Sequence, residues 1–89
     1  MKTYIDSQEL IQYTLRMSKI DTSFFYFTLE ANENIAFYST LDFEKGQTYR
    51  DIIVHITPEL GLSFANILKH LQSSRKIEIL NQTLIKEKS

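Results

Sequence analysis

The feature that most constrains this chain is an aromatic-rich stretch, residues 24–42, which reads FFYFTLEANENIAFYSTLD. It holds four of the six phenylalanines and two of the five tyrosines. Burying one aromatic side chain removes ~150–250 Å² from water, so these rings must supply much of any core. The turn-forming residues 31–34 separate two apolar runs and predict that the chain reverses there.

The size and composition predict one small globular domain. The chain has 89 residues, of which 43% are hydrophobic and 24% charged, which is typical of a single folded unit. The net charge of −1 argues against nucleic acid as a partner. We see no signal-peptide pattern and no apolar run of the roughly 20 residues that a membrane span needs, so we expect no membrane association and a cytoplasmic location.

Period-two alternation of apolar and polar residues predicts strands at residues 11–17, 35–42 and 49–57. A helix is the rival interpretation of the first segment, but it would disperse the apolar side chains around the axis. A last strand is expected within residues 77–85, with Ile77 and Ile79 facing inward. The middle two strands are joined by a short polar turn and predict an antiparallel hairpin.

This hairpin defines the predicted faces of the sheet. Ile52, Val54 and Ile56 would face the core, while Tyr38 and Thr40 would point away from it. In the segment 35–42, the residues predicted to face the core are Ile35, Phe37, Ser39 and Leu41, and Ala36 is predicted to face outward. The other face of the sheet would remain uncovered.

A helix is clearest after residue 57. Thr57 suits the N-cap, and Pro58 suits the first helical position. Residues that recur at helical spacing form the expected buried stripe, namely Leu60, Phe64, Ile67, Leu68 and Leu71.

The segment 24–32 fits either a helix or a strand. As a helix, it would be capped by Asp21 or Thr22, and Phe27 would lie on the buried side with Tyr26 and Glu30 opposite. As a strand, it alternates equally well, and its aromatic content favours extended structure. Periodicity alone leaves both interpretations open.

The chain resembles a small bacterial family, domain of unknown function 4911. The resemblance rests on an aromatic-rich run, a turn, a strand and a later helix, with motif positions at Leu29, Glu30, Thr40, Asp42 and Pro58. Asn34 departs from the glycine expected in the turn. The resemblance implies a helix for residues 24–32 and implies no activity.

With that helix, the order becomes strand, helix, strand, strand, helix, strand. This order predicts an α+β, ferredoxin-like two-layer sandwich, in which a four-stranded antiparallel sheet carries two helices on one face. The alternative is a four-stranded β-meander crossed by one helix.

No motif predicts a catalytic, cofactor-binding or metal site. The chain has no cysteine, and His55 has no second histidine at ligand spacing. Glu30 and Asp42 are the acidic pair that could perform acid–base chemistry, but turn and capping roles explain them as well. The sequence therefore predicts a protein that is not an enzyme.

Two functions remain as expectations. The first is a protein-interaction or homo-oligomerising module, which would bind a second copy or another protein through the uncovered sheet face, with a dimer formed sheet to sheet or edge to edge. Its candidate residues are Tyr38, Thr40, Arg50, Ile53 and His55, and the motif candidates are Glu30, Thr40 and Asp42. The alternative is a regulatory domain similar to the ACT domain that binds a small metabolite, although residues 16–23 lack the glycine-rich turn of such sites.

Overall fold

The computed structural model describes residues 7–32 and 37–88. The elements are β1 (Ser7–Ser18), α1 (Lys19–Ala31), β2 (Phe37–Thr40), β3 (Tyr49–Ile56), a short 3-10 turn (Pro58–Leu60), α2 (Gly61–Gln72) and β4 (Ile77–Lys88). The four strands form one antiparallel sheet in the order β2-β3-β1-β4. The predicted ferredoxin-like α+β fold is confirmed. The meander with a single helix is wrong, because residues 19–31 are helical.

The first strand runs directly into the first helix. Ser18 is the N-cap, and its Oγ accepts a hydrogen bond from the backbone N–H of Asp21 at 3.1 Å. The predicted caps are therefore wrong, and Thr22 instead donates to the carbonyl oxygen of Lys19 at 2.7 Å. Asn32 is the C-cap residue. The predicted turn and strand residues Glu33, Asn34, Ile35 and Ala36 lie outside the described residues.

One core lies between the helices and one face of the sheet. It is a single cluster made of Tyr13, Leu15, Met17, Phe25, Leu29, Ile52, Val54, Ile56, Phe64, Leu68, Leu71 and Ile77. The inward positions predicted for β3 and for α2 are confirmed, with Leu60 and Ile67 packed at the margin. Because each fully buried side chain of this kind stabilises the fold by about 1.5–3 kcal/mol, this face holds the domain together.

The longest pairing joins β1 to β4, from Ser7 opposite Lys88 to Met17 opposite Ile77. The register shifts once, because Thr14 pairs with Asn81 and Leu15 with Ile79, which leaves Leu80 as an extra residue. Such a β-bulge reverses which side of the sheet the following residues face. Ile77 is buried as predicted, whereas Ile79 is 43% exposed because β4 is an edge strand.

The buried side of α1 differs from the prediction. Phe25 and Leu29 enter the core, whereas Phe27 is 68% exposed. A helix turns about 100° per residue, so Phe27 lies about 200° from Phe25, almost on the opposite side. Tyr26, which was expected on the outer side, instead packs against the core.

Candidate interaction surfaces

Over the two central strands, the uncovered face of the sheet carries a paired arginine and aspartate. Nε and Nη2 of Arg16 donate to the two carboxylate oxygens of Asp51 at 2.8 and 3.0 Å. The guanidinium also lies over the ring of Tyr49, 4.3 Å from its centroid. The hydrogen bonds from Arg16 lower the pKa of Asp51 below its ordinary 3.8. Both groups therefore stay charged and paired near neutral pH.

His55 and Ile53 lie on this uncovered face, as predicted. His55 opposes Gln12, and its Nε2 lies 2.8 Å from the Gln12 side-chain oxygen, which accepts the hydrogen bond. Ile53 opposes Thr14 and is half-buried. Between Gln12 and Arg16 of β1 and the paired residues of β3, this face therefore presents hydrogen-bonded polar pairs around Ile53, while Leu10, farther along β1 on the same side, is buried.

The orientation predicted for β2 is wrong. Tyr38 opposes Val54, and Thr40 opposes Ile52, so both lie on the helix-covered side of the sheet. Ser39, which was expected to face the core, opposes Ile53 on the uncovered side. In a strand of four residues the side is decided by the register with β3, and the alternation within β2 is too short to specify it.

The two misplaced residues join a group that we call the tyrosine cluster, formed by Tyr26, Glu30, Tyr38 and Thr40. The rings of Tyr26 and Tyr38 are stacked with centroids 4.5 Å apart. The Tyr38 hydroxyl donates to Glu30 at 2.7 Å, and the Tyr26 hydroxyl is hydrogen-bonded to Thr40. The bond to Glu30 raises the pKa of Tyr38, so this phenol stays protonated near neutral pH. The cluster fastens α1 to the edge strand β2.

Glu30 and Thr40 are thus brought together, whereas Asp42 lies apart in the exposed loop after β2. Arg50 opposes Met17 at the end of the helix-covered side, so its predicted place on the uncovered face is also wrong. Its guanidinium lies 3.5 Å from the ring centroid of Phe43 and donates to the carbonyl oxygen of Gln47 at 2.8 Å. These contacts give Arg50 a structural role in the β2–β3 connection.

The outer side of α1 carries an apolar row that the sequence interpretation missed. We call it the α1 stripe, and it consists of Ile20 (81% exposed), Phe24 (40%), Phe27 (68%) and the exposed Ala31. Their spacing of four, three and four residues aligns them along one side of a helix. The sequence does contain this row, because nearly every turn of the segment carries apolar residues. The same abundance of apolar residues prevents the sequence from showing which side of the helix packs against the sheet.

Arg75, in the loop after α2, borders the α1 stripe. Its guanidinium lies 3.9 Å from the ring centroid of Phe24 and forms an ion pair with Asp21 at 2.9 Å. These contacts account for the lower exposure of Phe24. Phe27 and Ile20 are therefore the most accessible large side chains of the stripe.

The second accessible surface is the β4 edge, by which we mean the outer side of residues 77–88. In the described part of the chain, β4 pairs only with β1, so its outer backbone groups are free. Ile79, Leu80 and Leu84 are all exposed along it, and Leu84 reaches 57%. Long apolar edges of this kind are templates for pairing with another strand.

A shallow pocket of about 260 Å³ lies where β1 meets α1. Its lining carries charges of both signs, from Arg16, Lys76, Asp21 and Glu78, beside Tyr49. This mixture could contact a small zwitterion. Among residues 7–32 and 37–88, no group of three His, Asp or Glu side chains is placed to hold a metal ion.

Neither α1 nor α2, the two α-helices in the described ranges, has the length and apolar content to cross a membrane. Comparison with protein-family models, with curated proteins and with solved structures gave no match. The resemblance to domain of unknown function 4911 therefore stays a prediction.

Proposed function

We propose that this protein is a non-catalytic interaction module that packs its α1 stripe against another polypeptide chain, either a second copy or a different protein. One observation carries the proposal: α1 is apolar on both its inner and its outer side, while its own sheet covers only the inner one. An apolar side of a helix is normally buried against another surface. The proposal needs no cofactor or metal, and it keeps the cytoplasmic location expected from the sequence.

The size of the α1 stripe supports this role. From the exposed fractions of Phe24 and Phe27, and ~150–250 Å² per aromatic side chain, the two rings present roughly 160–270 Å² of apolar surface, to which the exposed Ile20 adds. A standard protein interface buries roughly 800 Å² on each partner, with an apolar centre and a polar rim. The stripe is therefore large enough to form the centre of such an interface.

The proposed surface replaces the one expected from the sequence. Over the central strands, the uncovered face already satisfies Arg16, Asp51, Gln12 and His55 within the chain. Docking there would remove water from these pairs and supply no better partners. The exposed aromatic rings of α1, by contrast, gain from any contact that excludes water.

The test compares Phe27→Ser with Leu62→Ser. Leu62 lies on the outer side of α2 with 75% exposure, beside polar neighbours, and serves as the matched control. Sedimentation velocity at tens of micromolar and native mass spectrometry of protein from its host would show which species form. We expect the wild type and Leu62→Ser to carry an additional chain that Phe27→Ser loses. A monomeric wild type in both measurements, or an unchanged Phe27→Ser complex, would contradict the proposal.

The ACT-like alternative, a domain that binds a small metabolite, is supported by the pocket at the β1–α1 junction. Its volume of about 260 Å³ lies below the roughly 300–1,000 Å³ of most ligand sites, so it suits only a compact molecule such as an amino acid. A ligand at 100 times its dissociation constant stabilises the folded state by about 2.7 kcal/mol. Screening amino acids and nucleotides by thermal shift should then raise the melting temperature by several degrees, and Lys76→Ala should abolish the shift. No shift with any compound removes this alternative.

A further inference from the structure

We infer that the β4 edge pairs antiparallel with the β4 edge of a second copy, about a twofold axis at Gln82, to form a continuous eight-stranded sheet. The first support is the composition of the edge. Residues 79–85 read ILNQTLI and contain no charge, proline or glycine. Native edge strands are usually protected by charges, prolines, short length or β-bulges, and of these devices this segment has only the bulge at Leu80.

The opposite edge of the sheet behaves differently. β2 has four residues, whereas β4 has twelve. A strand of four residues offers few backbone groups to a partner, and its Tyr38 and Thr40 are engaged by α1 through the tyrosine cluster. The β4 edge therefore offers a partner strand many more backbone hydrogen-bonding groups than the β2 edge does.

The β-bulge at Leu80 limits the registers in which such a pair can form. Before it, Ile79 lies on the helix-covered side. After it, Gln82 and Leu84 lie on that side, because they oppose Tyr13 and Ile11. Directly opposed residues of an antiparallel pair must point to the same side of the sheet.

This condition is met when Gln82 opposes Gln82 of the second copy and each Leu80 remains an unpaired bulge residue. Ile79 of one copy then opposes Leu84 of the other, and this apolar contact occurs twice. Asn81 opposes Thr83 on the uncovered side.

The charges on the strand favour the antiparallel direction. Glu78 lies near one end of β4, and Lys86 lies near the other. In this register Glu78 opposes Ile85 of the second copy and Lys86 opposes Ile77, whereas an in-register parallel pairing would place Glu78 opposite Glu78 and Lys86 opposite Lys86. The second copy is thus the occupant that this edge fits.

The inference extends the proposed function without depending on the α1 stripe. Because the axis stands perpendicular to the sheet, the helices of both copies lie on the same side of it. The dimer would therefore carry two α1 stripes on one surface and could bind two partner chains at once.

The test uses the absence of native cysteine from the chain. In an Ile79→Cys, Leu84→Cys double variant, the two thiols within one strand lie roughly 16 Å apart at ~3.3 Å per residue, too far for a disulfide. In the proposed pairing, the thiol at position 79 of one copy lies opposite the thiol at position 84 of the other copy. We expect mild oxidation at micromolar concentration to convert the double variant to a covalent dimer, while each single variant remains monomeric on a non-reducing gel.

A second measurement uses Leu84→Lys, a change at an exposed position that places a charge in the paired edge. We expect its dimer dissociation constant, from sedimentation equilibrium, to rise at least tenfold. Adding Phe27→Ser to the double-cysteine variant should leave cross-linking unchanged, which separates this inference from the α1 proposal. A double variant that cross-links no faster than the single variants, or a Leu84→Lys protein that dimerises like the wild type, overturns the inference.

Discussion

The two helices cover the same face of one sheet and have nearly equal lengths, 13 residues for α1 and 12 for α2, yet their outer sides differ. α2 is amphipathic, and its outer side shows Leu62 among polar residues such as Ser63 and Lys69. α1 shows Ile20 and Phe27 in a continuous apolar row. A helix with one apolar side can bury that side against its own sheet. A helix with two apolar sides leaves one of them exposed to water until a second surface covers it.

The largest expected effect distinguishes the inner from the outer side of each helix. Phe25→Ala in α1 and Phe64→Ala in α2 remove rings that are almost fully buried, so each should cost about 3–5 kcal/mol of unfolding free energy. Phe27→Ala and Leu62→Ala should each cost less than about 0.5 kcal/mol in the isolated domain. Urea denaturation at low protein concentration measures all four. If Phe27→Ala proved as costly as Phe25→Ala, the distinction between the two sides of α1 would fail.

A smaller effect concerns how the helices begin. α1 is capped by the side chain of Ser18, whereas α2 starts at Gly61, whose Cβ position would come within 2.8 Å of Cδ1 of Ile11. Gly61 has helical φ and ψ, so alanine there would reduce the entropy of the unfolded chain, but Ile11 must rotate to admit the methyl group. We expect Gly61→Ala alone to change stability by less than about 0.5 kcal/mol.

Removing the obstructing methyl group should reveal the gain. In an Ile11→Val background, Gly61→Ala should stabilise the domain by about 0.4–1 kcal/mol. A double-mutant cycle measured by thermal unfolding gives the coupling between the two positions. An equal effect of Gly61→Ala in both backgrounds would show that the two side chains do not compete for this space.

The smallest effect lies on the uncovered sheet face and leaves both helices unchanged. Arg16 lowers the pKa of Asp51 in the folded state, so the pair stabilises the fold above about pH 3.8 and loses this contribution as the pH falls through the lowered pKa. We expect Asp51→Asn to be less stable than the wild type at pH 7 and equally stable once both proteins are well below that range. Asp42→Asn, in an exposed loop, is the control and should show little change at either pH.

Asp51→Asn also bears on where the protein associates. If the α1 stripe and the β4 edge are the contact surfaces, this variant should sediment like the wild type. A change in its association state would move the interaction surface to the uncovered sheet face.

The sequence is sufficient to predict the buried residues of an element that has only one apolar side. The alternation in β3 and the stripe of α2 predict their buried residues correctly, because only one orientation places Val54 or Phe64 in a core. The same reasoning fails for α1, where Phe27 and Phe25 are equally apolar and only packing against the sheet separates them. It also fails for β2, because the side that Tyr38 faces depends on a register with residues that follow it in the chain.

The candidate surfaces were harder to predict than the fold. To predict the tyrosine cluster, one must know the distance between α1 and β2, and no local sequence pattern encodes that distance. The bulge at Leu80 decides which side Leu84 faces, yet residues 77–85 contain no glycine or proline that would reveal it. A surface built from contacts between elements therefore emerges only when their relative positions are known.

The pairing of β1 with β4 has a consequence for how the chain reaches this fold. β1 is a central strand, and one of its two neighbours is β4, which is the last of the described elements along the chain. Met17 can therefore pair with Ile77 only after β4 has been synthesised. Contacts between residues so distant in sequence slow folding, because the loop must close before they can form. During synthesis on the ribosome, β1 keeps an open edge and an unfinished core until β4 emerges. Until then, the unpaired strand edge and the incomplete core favour aggregation of the nascent chain.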